Sequence, residues 1–213
     1  MKPIVTVIDY GVCNMFSVKE AFTHCGAEVK FTDDPEEVVR ANSLVLPGVG
    51  AFADGMQALK DKNLDESIIS YAKTGNPLLG ICLGMQMLLT NSHEFGIYQG
   101  LDLIPGEVLP IPKETDHGIH KIPHIGWNEI DIVNNDVPWK DTILEDTKAK
   151  SPMYFVHSFT AWPKDVRHRL ADCYYDDSRI SAVIASGHIW GCQFHPEKSG
   201  QKGLDILHAF LRF

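Results

Sequence analysis

Gly75-Asn76-Pro77-Leu78-Leu79-Gly80-Ile81-Cys82-Leu83-Gly84-Met85-Gln86-Met87-Leu88-Leu89 is the stretch on which the reading of this chain turns. An apolar run, Pro77 to Ile81, stops at a cysteine with glycine two residues before it and two after. A helix-like run, Met85 to Leu89, follows at once. A nucleophile elbow has this construction: a strand, a sharp turn that holds the nucleophile in a strained conformation, and a helix that starts immediately. Small residues at the −2 and +2 positions let strand and helix approach. The free N–H groups and positive end of the helix then aim at the sulfur and favour the reactive thiolate. The N–H of Leu83 points to where an oxyanion would develop. An average cysteine in an apolar turn is merely buried. The paired glycines, the strand-to-helix context and the absence of a disulfide role favour a nucleophile here.

Outward from the elbow, the first half of the chain alternates. PIVTVID, AEVKFT, SLVLPG and PLLGI read as strands. SVKEAFTHCG reads as a helix with a terminal glycine, and DPEEVVRA as a helix opened by Asp34 with Pro35 in its first position. AFADGMQALKDKNLDESIISYAKTG reads as one or two helices. Near-continuous apolar strands separated by helices indicate a parallel sheet covered on both faces. The second half is richer in strands: GEVLPIP, NEIDIV, PMYFVHSF, RLADCYY, ISAVIAS and HIWGCQF, closed by a helix over GLDILHAFLRF. The Pro-rich zone from Pro105 to Pro138 suggests loops and edge hairpins. The expected architecture is α/β, with antiparallel strands added in the C-terminal half.

With 213 residues the chain suits one good core and one domain over 1–213. Apolar content of 44% and charged content of 22% are those of a soluble globular protein. A net charge of −9 argues against broad binding to nucleic acid or an anionic membrane. The N-terminal apolar run is too short for a signal-peptide core, and no stretch reaches membrane-spanning length. Five cysteines, odd in number and without a CxxC pair, fit a reduced cytoplasmic protein without structural disulfides.

A nucleophilic thiol wants a base, and the base an orienter. GCQFHPEKSG offers His195 and Glu197 just after an apolar strand, with Pro196 favouring an extended backbone there. A His-Pro-Glu triplet alone is usually a turn. Paired with the elbow it makes a Cys82-His195-Glu197 triad. His117, His120 and His124 have spacings of three and four, but Gly118 and Pro123 break a helical register and no metal motif supports them. They read as exposed loop histidines, with no metal site. PGVGAFA matches a loose GxGxxA after a strand, but the dinucleotide fingerprint normally occupies the first βα turn. The better reading is a glycine-rich loop whose N–H groups face the site.

GICLGMQ followed much later by QFHPEKSG resembles the class I (triad) glutamine amidotransferases. IDYGVCN, LPGVGAF, KIPHIGWNEI and YFVHSF, spread over Ile4 to Phe210, resemble the branch of glutaminase subunits that serve imidazole glycerol phosphate synthases. The resemblance implies a flavodoxin-like three-layer sandwich with a central, mainly parallel sheet. It implies hydrolysis of glutamine through a thioester on Cys82, with His195 as base and acid and Glu197 as orienter, and without a cofactor. The Gly48-Val49 peptide would add a second oxyanion N–H, from Val49, to that of Leu83. Gly48, Gly50, Gln86, His157, Ser158 and Phe159 would line the glutamine pocket. Ammonia would pass to a separate (β/α)₈-barrel synthase subunit in a heterodimer, contacted near Asn14 and Trp127. That partner would make imidazole glycerol phosphate and an aminoimidazole carboxamide ribotide in histidine biosynthesis. Cys13 stands where the family's first turn carries its second glycine. NMFSV and WPKD are also similar to a paralogous branch that feeds ammonia to enzymes modifying surface-polysaccharide sugars.

Three further readings belong to other classes. A stand-alone cysteine hydrolase of γ-glutamyl compounds needs a deep open cleft and no partner. A non-catalytic nucleotide-binding module would use PGVGAFA. A regulatory protein with a relict triad is disfavoured, because all three triad residues are present. The Gly48-Val49-Gly50 loop adds an expectation about control. Glycine on either side gives Val49 a peptide able to turn between two orientations, so glutamine hydrolysis should be weak until a partner docks.

Overall fold

The computed structural model describes residues 2–11, 14–115, 118–119, 121–133 and 138–213. The chain runs β1 (Ile4–Ile8), α1 (Met15–His24), β2 (Glu28–Thr32), α2 (Pro35–Val39), β3 (Leu44–Gly48), α3 (Phe52–Asp61), α4 (Leu64–Ala72), β4 (Leu78–Cys82) and α5 (Leu83–Met87). It continues through β5 (Leu89–Ser92), β6 (Tyr98–Gln99), β7 (Ile104–Pro110), β8 (Glu114–Thr115), β9 (Gly118–Ile119), β10 (His124–Ile132), β11 (Ser151–His157) and β12 (Phe159–Pro163). β13 (Arg169–Tyr175), β14 (Ser178–Ser186), β15 (Ile189–Cys192) and α6 (Gly200–Phe210) complete it.

Local sequence explains most boundaries. The Asp34 side chain accepts the Glu36 N–H at 2.9 Å and opens α2, with Pro35 in the first turn where its missing N–H costs nothing. Asn14 opens α1 by accepting the Ser17 N–H at 3.4 Å. The long helical stretch after Gly50 divides at Asn63, whose φ of 55° ends one helix and begins the next.

The main sheet has the order β11-β10-β13-β14-β15-β4-β3-β1-β2. From β2 to β15 neighbouring strands are parallel, and from β15 to β11 they are antiparallel. The parallel part, β2-β1-β3-β4-β15, is the flavodoxin-like order. A smaller sheet, β12-β7-β5-β6, packs beside it, and β8 and β9 form a hairpin. β3 and β4 are buried along their whole length, which is why they read as unbroken apolar runs. Their side chains alternate between two cores. Val45, Leu79 and Ile81 face α1 and α6 through Val18, Phe22, Ile206 and Phe210. Leu44, Leu46 and Leu78 face the opposite layer through Val38, Phe52, Leu59 and Ile68. The expected three-layer architecture is present. The strand expected over GEVLPIP is β7, but the Pro105–Pro138 zone departs from expectation in one respect: β10 lies inside the sheet between β11 and β13 rather than at an edge. Among the described residues no helix is long and apolar enough to cross a membrane.

One close approach fixes the elbow in place. A Cβ built on Gly84 would collide with the Leu46 carbonyl of β3, and one on Gly80 would lie 2.8 Å from the Gly84 carbonyl. Neither obstacle is a flexible side chain. Gly84→Ala is therefore expected to cost at the upper end of the roughly 1–3 kcal/mol typical of overpacking. It should lower the urea unfolding midpoint while leaving the slope unchanged; an unshifted midpoint contradicts this packing.

Candidate active site

The parallel strands end at one edge of the sheet, and the site is built there, as expected for an open α/β sheet. In the β3–β4 register Gly48 lies opposite Cys82, and β15 on the other side of β4 leads into His195. Cys82 adopts φ 54° and ψ −108° between β4 and α5. A left-handed φ in a residue with a Cβ costs on the order of 1–3 kcal/mol, and the packed glycines around it hold it there. The Cys82 thiol lies 3.9 Å from the Val156 carbonyl, and Gln193 Nε2 points at the sulfur from 3.9 Å.

His195 is extended, with φ −97° and ψ 97°, but Glu197 is not: Pro196–Lys198 forms a 3₁₀ turn. The turn, rather than an extended chain, brings Glu197 back to the ring, where Oε1 is 2.8 Å from His195 Nδ1. The loop is fastened to β11. His195 N–H donates to the Tyr154 carbonyl at 3.0 Å, and Ser199 Oγ donates to the His195 carbonyl at 2.7 Å while accepting Tyr154 N–H at 3.0 Å. Glu197 therefore leaves Nε2 as the nitrogen free to work. Nε2 is buried and turned toward the Cys82 sulfur. Burial opposes the imidazolium, yet the neighbouring Cys82 sulfur and the Glu197 carboxylate outweigh it and raise the His195 pKa to about 10.

A cavity of about 350 Å³ opens over the thiol, lined by Val49, Gly50, Cys82, Leu83, Gln86, Glu94, Pro123, Val156, His157, Ser158, Phe159 and His195. Every expected pocket and oxyanion residue except Gly48 is on this wall. Gly48, with Glu197 and Asn14, lines a small void behind it that also touches Val49 and His195. Asn14 is exposed, and Trp127 is 56% exposed on β10, where its ring leans on Tyr154 at 5.9 Å. A larger cavity, about 560 Å³, lies between Thr90, Glu107 and Trp162 on the smaller sheet. Its lining has neither cysteine nor histidine, so it is not where this chemistry sits.

Three features depart from the sequence reading. Glu94 was missed: it follows β5 in a polar loop with no local pattern, yet its carboxylate accepts the Phe52 N–H at 2.6 Å and faces the cavity. That bond fills the N-terminus of α3, which a dinucleotide phosphate would need, and so argues against the nucleotide-binding reading. His124, expected to be exposed in a loop, is buried in β10 and bonded through Nδ1 to His157 Nε2 at 3.0 Å. Pairing with β11 overrides the loop signals of Gly118 and Pro123. Gly48, expected to share left-handed freedom with Gly50, does not: only Gly50 has positive φ, at 94°. His117, His120 and Cys13 lie outside the described residues. Among the described residues no group of three or more His, Cys, Asp or Glu is placed to hold a metal.

The described cysteines are all free thiols. Burial raises the pKa of Cys25, Cys173 and Cys192, with a neighbouring carboxylate adding to each. A diazo-ketone analogue of glutamine is therefore expected to label Cys82 first. Peptide mapping that finds Cys25 or Cys192 modified faster would contradict this.

A family model described as "Glutamine amidotransferase class-I" matches residues 6–212. The chain is 52% identical over 209 residues to "Imidazole glycerol phosphate synthase subunit HisH 1" of Legionella pneumophila strain Paris, covering 98% of each chain. It is 44% identical over 212 residues to "Imidazole glycerol phosphate synthase subunit HisH" of Methanosarcina barkeri, covering 99% of this chain and 98% of that one. Among solved structures, "Structure of PurLQS from Thermotoga maritima" superposes with a TM-score of 0.71 at 22% identity, over 100% of this chain and 99% of that one, which concerns the fold alone. The elbow, the His-Glu pair and the family match over nearly the whole chain meet in one conclusion: this chain belongs to the class-I glutamine amidotransferases.

Proposed function

We propose that residues 1–213 form a single glutaminase domain that supplies ammonia to a (β/α)₈-barrel synthase subunit. The observation that carries the chemistry is the thiol of Cys82, strained at the end of β4, on the wall of a 350 Å³ cavity beside a His195 already oriented by Glu197. In the first half-reaction the Cys82 sulfur attacks the side-chain amide carbon of glutamine. His195 takes the thiol proton and delivers it to the departing nitrogen, leaving a γ-glutamyl thioester and ammonia. Water then adds to the thioester, His195 accepts its proton and returns it to sulfur, and glutamate leaves. The N–H groups of Leu83 and Val49 stabilise the oxyanion in both halves. Glu94 is the acidic residue on the cavity wall, and its charge suits the α-ammonium of the substrate.

The cavity is near the lower end of the range for small-molecule sites, which favours a free amino acid over the longer substrates of a γ-glutamyl hydrolase. The names of the relatives support the imidazole glycerol phosphate synthase branch, and the exposed Trp127 and Asn14 near this edge suit a partner covering the site. The test is to combine the chain with the barrel subunit from its own organism. Stoichiometric glutamate and imidazole glycerol phosphate are expected from glutamine and the phosphoribulosyl aminoimidazole acceptor. Glutamate without that product would reject the pathway and return the surface-sugar branch. No glutamate in any combination would reject the glutaminase.

The division of roles has its own test. Glu197 holds the ring and does not itself transfer protons, so Glu197→Gln, which keeps a hydrogen-bonding group at Nδ1, is expected to slow turnover less than His195→Ala. Equal losses in kcat would contradict it.

A further inference from the structure

We infer that His124, supported by Asn128, is a positioning residue that sets the proton arrangement of the substrate pocket through a one-way file of hydrogen bonds ending beside Cys82. The inference rests on the glutaminase reading above for its purpose, though not for its geometry.

The file begins on β10 and is fixed at both ends. Asn128 Nδ2 donates to the Tyr174 carbonyl at 3.0 Å. A carbonyl only accepts, so this bond sets the orientation of the amide. The same Nδ2 lies 3.1 Å from His124 Nε2, which must therefore accept. His124 then carries its proton on Nδ1, 3.0 Å from His157 Nε2, which accepts in turn. His157 is left with its proton on Nδ1, donated at 2.8 Å to the Phe159 carbonyl. That end too can only accept. With neutral rings, a single pair of tautomers satisfies every bond.

The neutral state is built in. A proton added to His124 Nε2 would face the donor Asn128 amide, and turning that amide would set oxygen against the Tyr174 carbonyl. A proton added to His157 Nε2 would face the His124 N–H. The charged groups around the pair are Asp176, which favours the imidazolium of His124, and His195, which disfavours that of His157. Burial is the larger effect at both rings and lowers them to about 4 and about 3. The His124 ring is also held in plane, stacked at 21° between Phe155 at 5.2 Å and Tyr175 at 4.2 Å. Tyr175 is itself tied to the Lys121 carbonyl at 2.7 Å.

The file reaches the chemistry through Phe159. Its carbonyl also accepts Gln86 Nε2 at 3.1 Å, and Gln86 Nε2 donates again to Gln193 Oε1 at 3.0 Å. With Oε1 committed, Gln193 turns its NH₂ to the Cys82 sulfur. Two consequences follow for the reaction. His157 meets glutamine as a neutral ring with a fixed edge. The sulfur gains a donor, Gln193, beside the Val156 carbonyl, and a donor suits a thiolate. A reversed His157 tautomer would set its Nδ1 lone pair against the Phe159 carbonyl and disturb Gln86 and Gln193 in turn.

The test uses His124→Phe, which keeps the stacked ring and removes both nitrogens, and His124→Asn, whose amide nitrogen replaces Nδ1. Glutamate release is measured with the synthase subunit present, across pH, together with imidazole ¹⁵N NMR of the histidine-labelled chain. His124→Phe is expected to lose about tenfold in kcat/KM for glutamine, the scale of one buried acceptor left unpaired. Its acid limb should move to higher pH, because the lone pair of His157 Nε2 is no longer covered. His124→Asn should recover most of the loss. In the unsubstituted chain at pH 7, NMR should show both rings neutral with the proton on Nδ1. A His124→Phe variant with unaltered kcat/KM and pH profile overturns the proposal, as does an Nε2–H tautomer or an imidazolium at either ring. Should His124→Phe not fold, the His124→Asn kinetics and the NMR decide. If the unsubstituted chain released no glutamate, the glutaminase reading would fail while the NMR still judged the file.

Discussion

Cys82→Ala is expected to remove glutamine hydrolysis altogether while leaving the fold intact. Removing the nucleophile of a catalytic unit costs on the order of 10⁶ in turnover, because the remaining members have nothing to act through. The structural cost should be small. Alanine also has a Cβ, so the strained φ of 54° is neither relieved nor worsened. The hydrogen-bond contacts the Cys82 thiol makes to Val156 and Gln193 are long, at 3.9 Å. Ammonium salts supplied in solution should still drive the partner's synthase reaction, which separates loss of the nucleophile from loss of the complex. The measurements are glutamate release, ammonia-dependent product formation and the unfolding midpoint. Glutamate at the rate of the unsubstituted chain would mean that Cys82 is not the nucleophile.

The second large effect concerns the partner. The isolated chain is expected to hydrolyse glutamine about 10²–10³-fold more slowly than the complex with acceptor bound, the scale of one missing oxyanion donor. The structure locates where the change must occur. The peptide leading into Val49 is anchored upstream, because Tyr10 Oη donates to the Pro47 carbonyl at 2.8 Å and a Cβ on Gly48 would lie 2.5 Å from the Tyr10 hydroxyl. Downstream, Gly50 sits at φ 94° with the left-handed freedom glycine alone has cheaply. Val49 itself is 40% exposed, within reach of anything docked over this edge. Replacing Gly50 with alanine should stiffen the free end and reduce the fold-activation, read as the ratio of glutamate release with and without partner and acceptor. Full activity from the isolated chain would eliminate the switch and favour a stand-alone hydrolase.

The elbow was legible because its glycines record a collision: without them the Leu46 carbonyl and the turn at Gly84 cannot coexist. The parallel strands were legible because burial on both faces leaves no polar alternation in Leu44–Gly48 or Leu78–Cys82. The end of the helix after Cys82 was not. Met85 to Leu89 has helical spacing, yet the helix stops at Met87 because tertiary bonds take its last carbonyls: Leu101 N–H reaches Met87 at 2.8 Å, and Leu103 and Ile104 N–H reach Leu88 at 2.9 and 3.0 Å. Leu89 then joins a strand beside Ile104. Glu94 and the buried state of His124 depend likewise on partners far away in the chain, Phe52 for one and His157 for the other. Such partners leave no trace in local spacing.

β15 follows β4 only after all of β5 to β14, yet it sits directly beside it, between β4 and β14. A ribosome must therefore release everything through β14 before the strand beside Cys82 can be filled and His195 carried to the thiol. Contacts closed over so long a separation form slowly. The nucleophile is synthesised early and its base late, so an unfinished or prematurely terminated chain has a thiol with no proton shuttle. Glutamine hydrolysis by this route therefore waits until β15 and the loop that follows it have been made and inserted between β4 and β14.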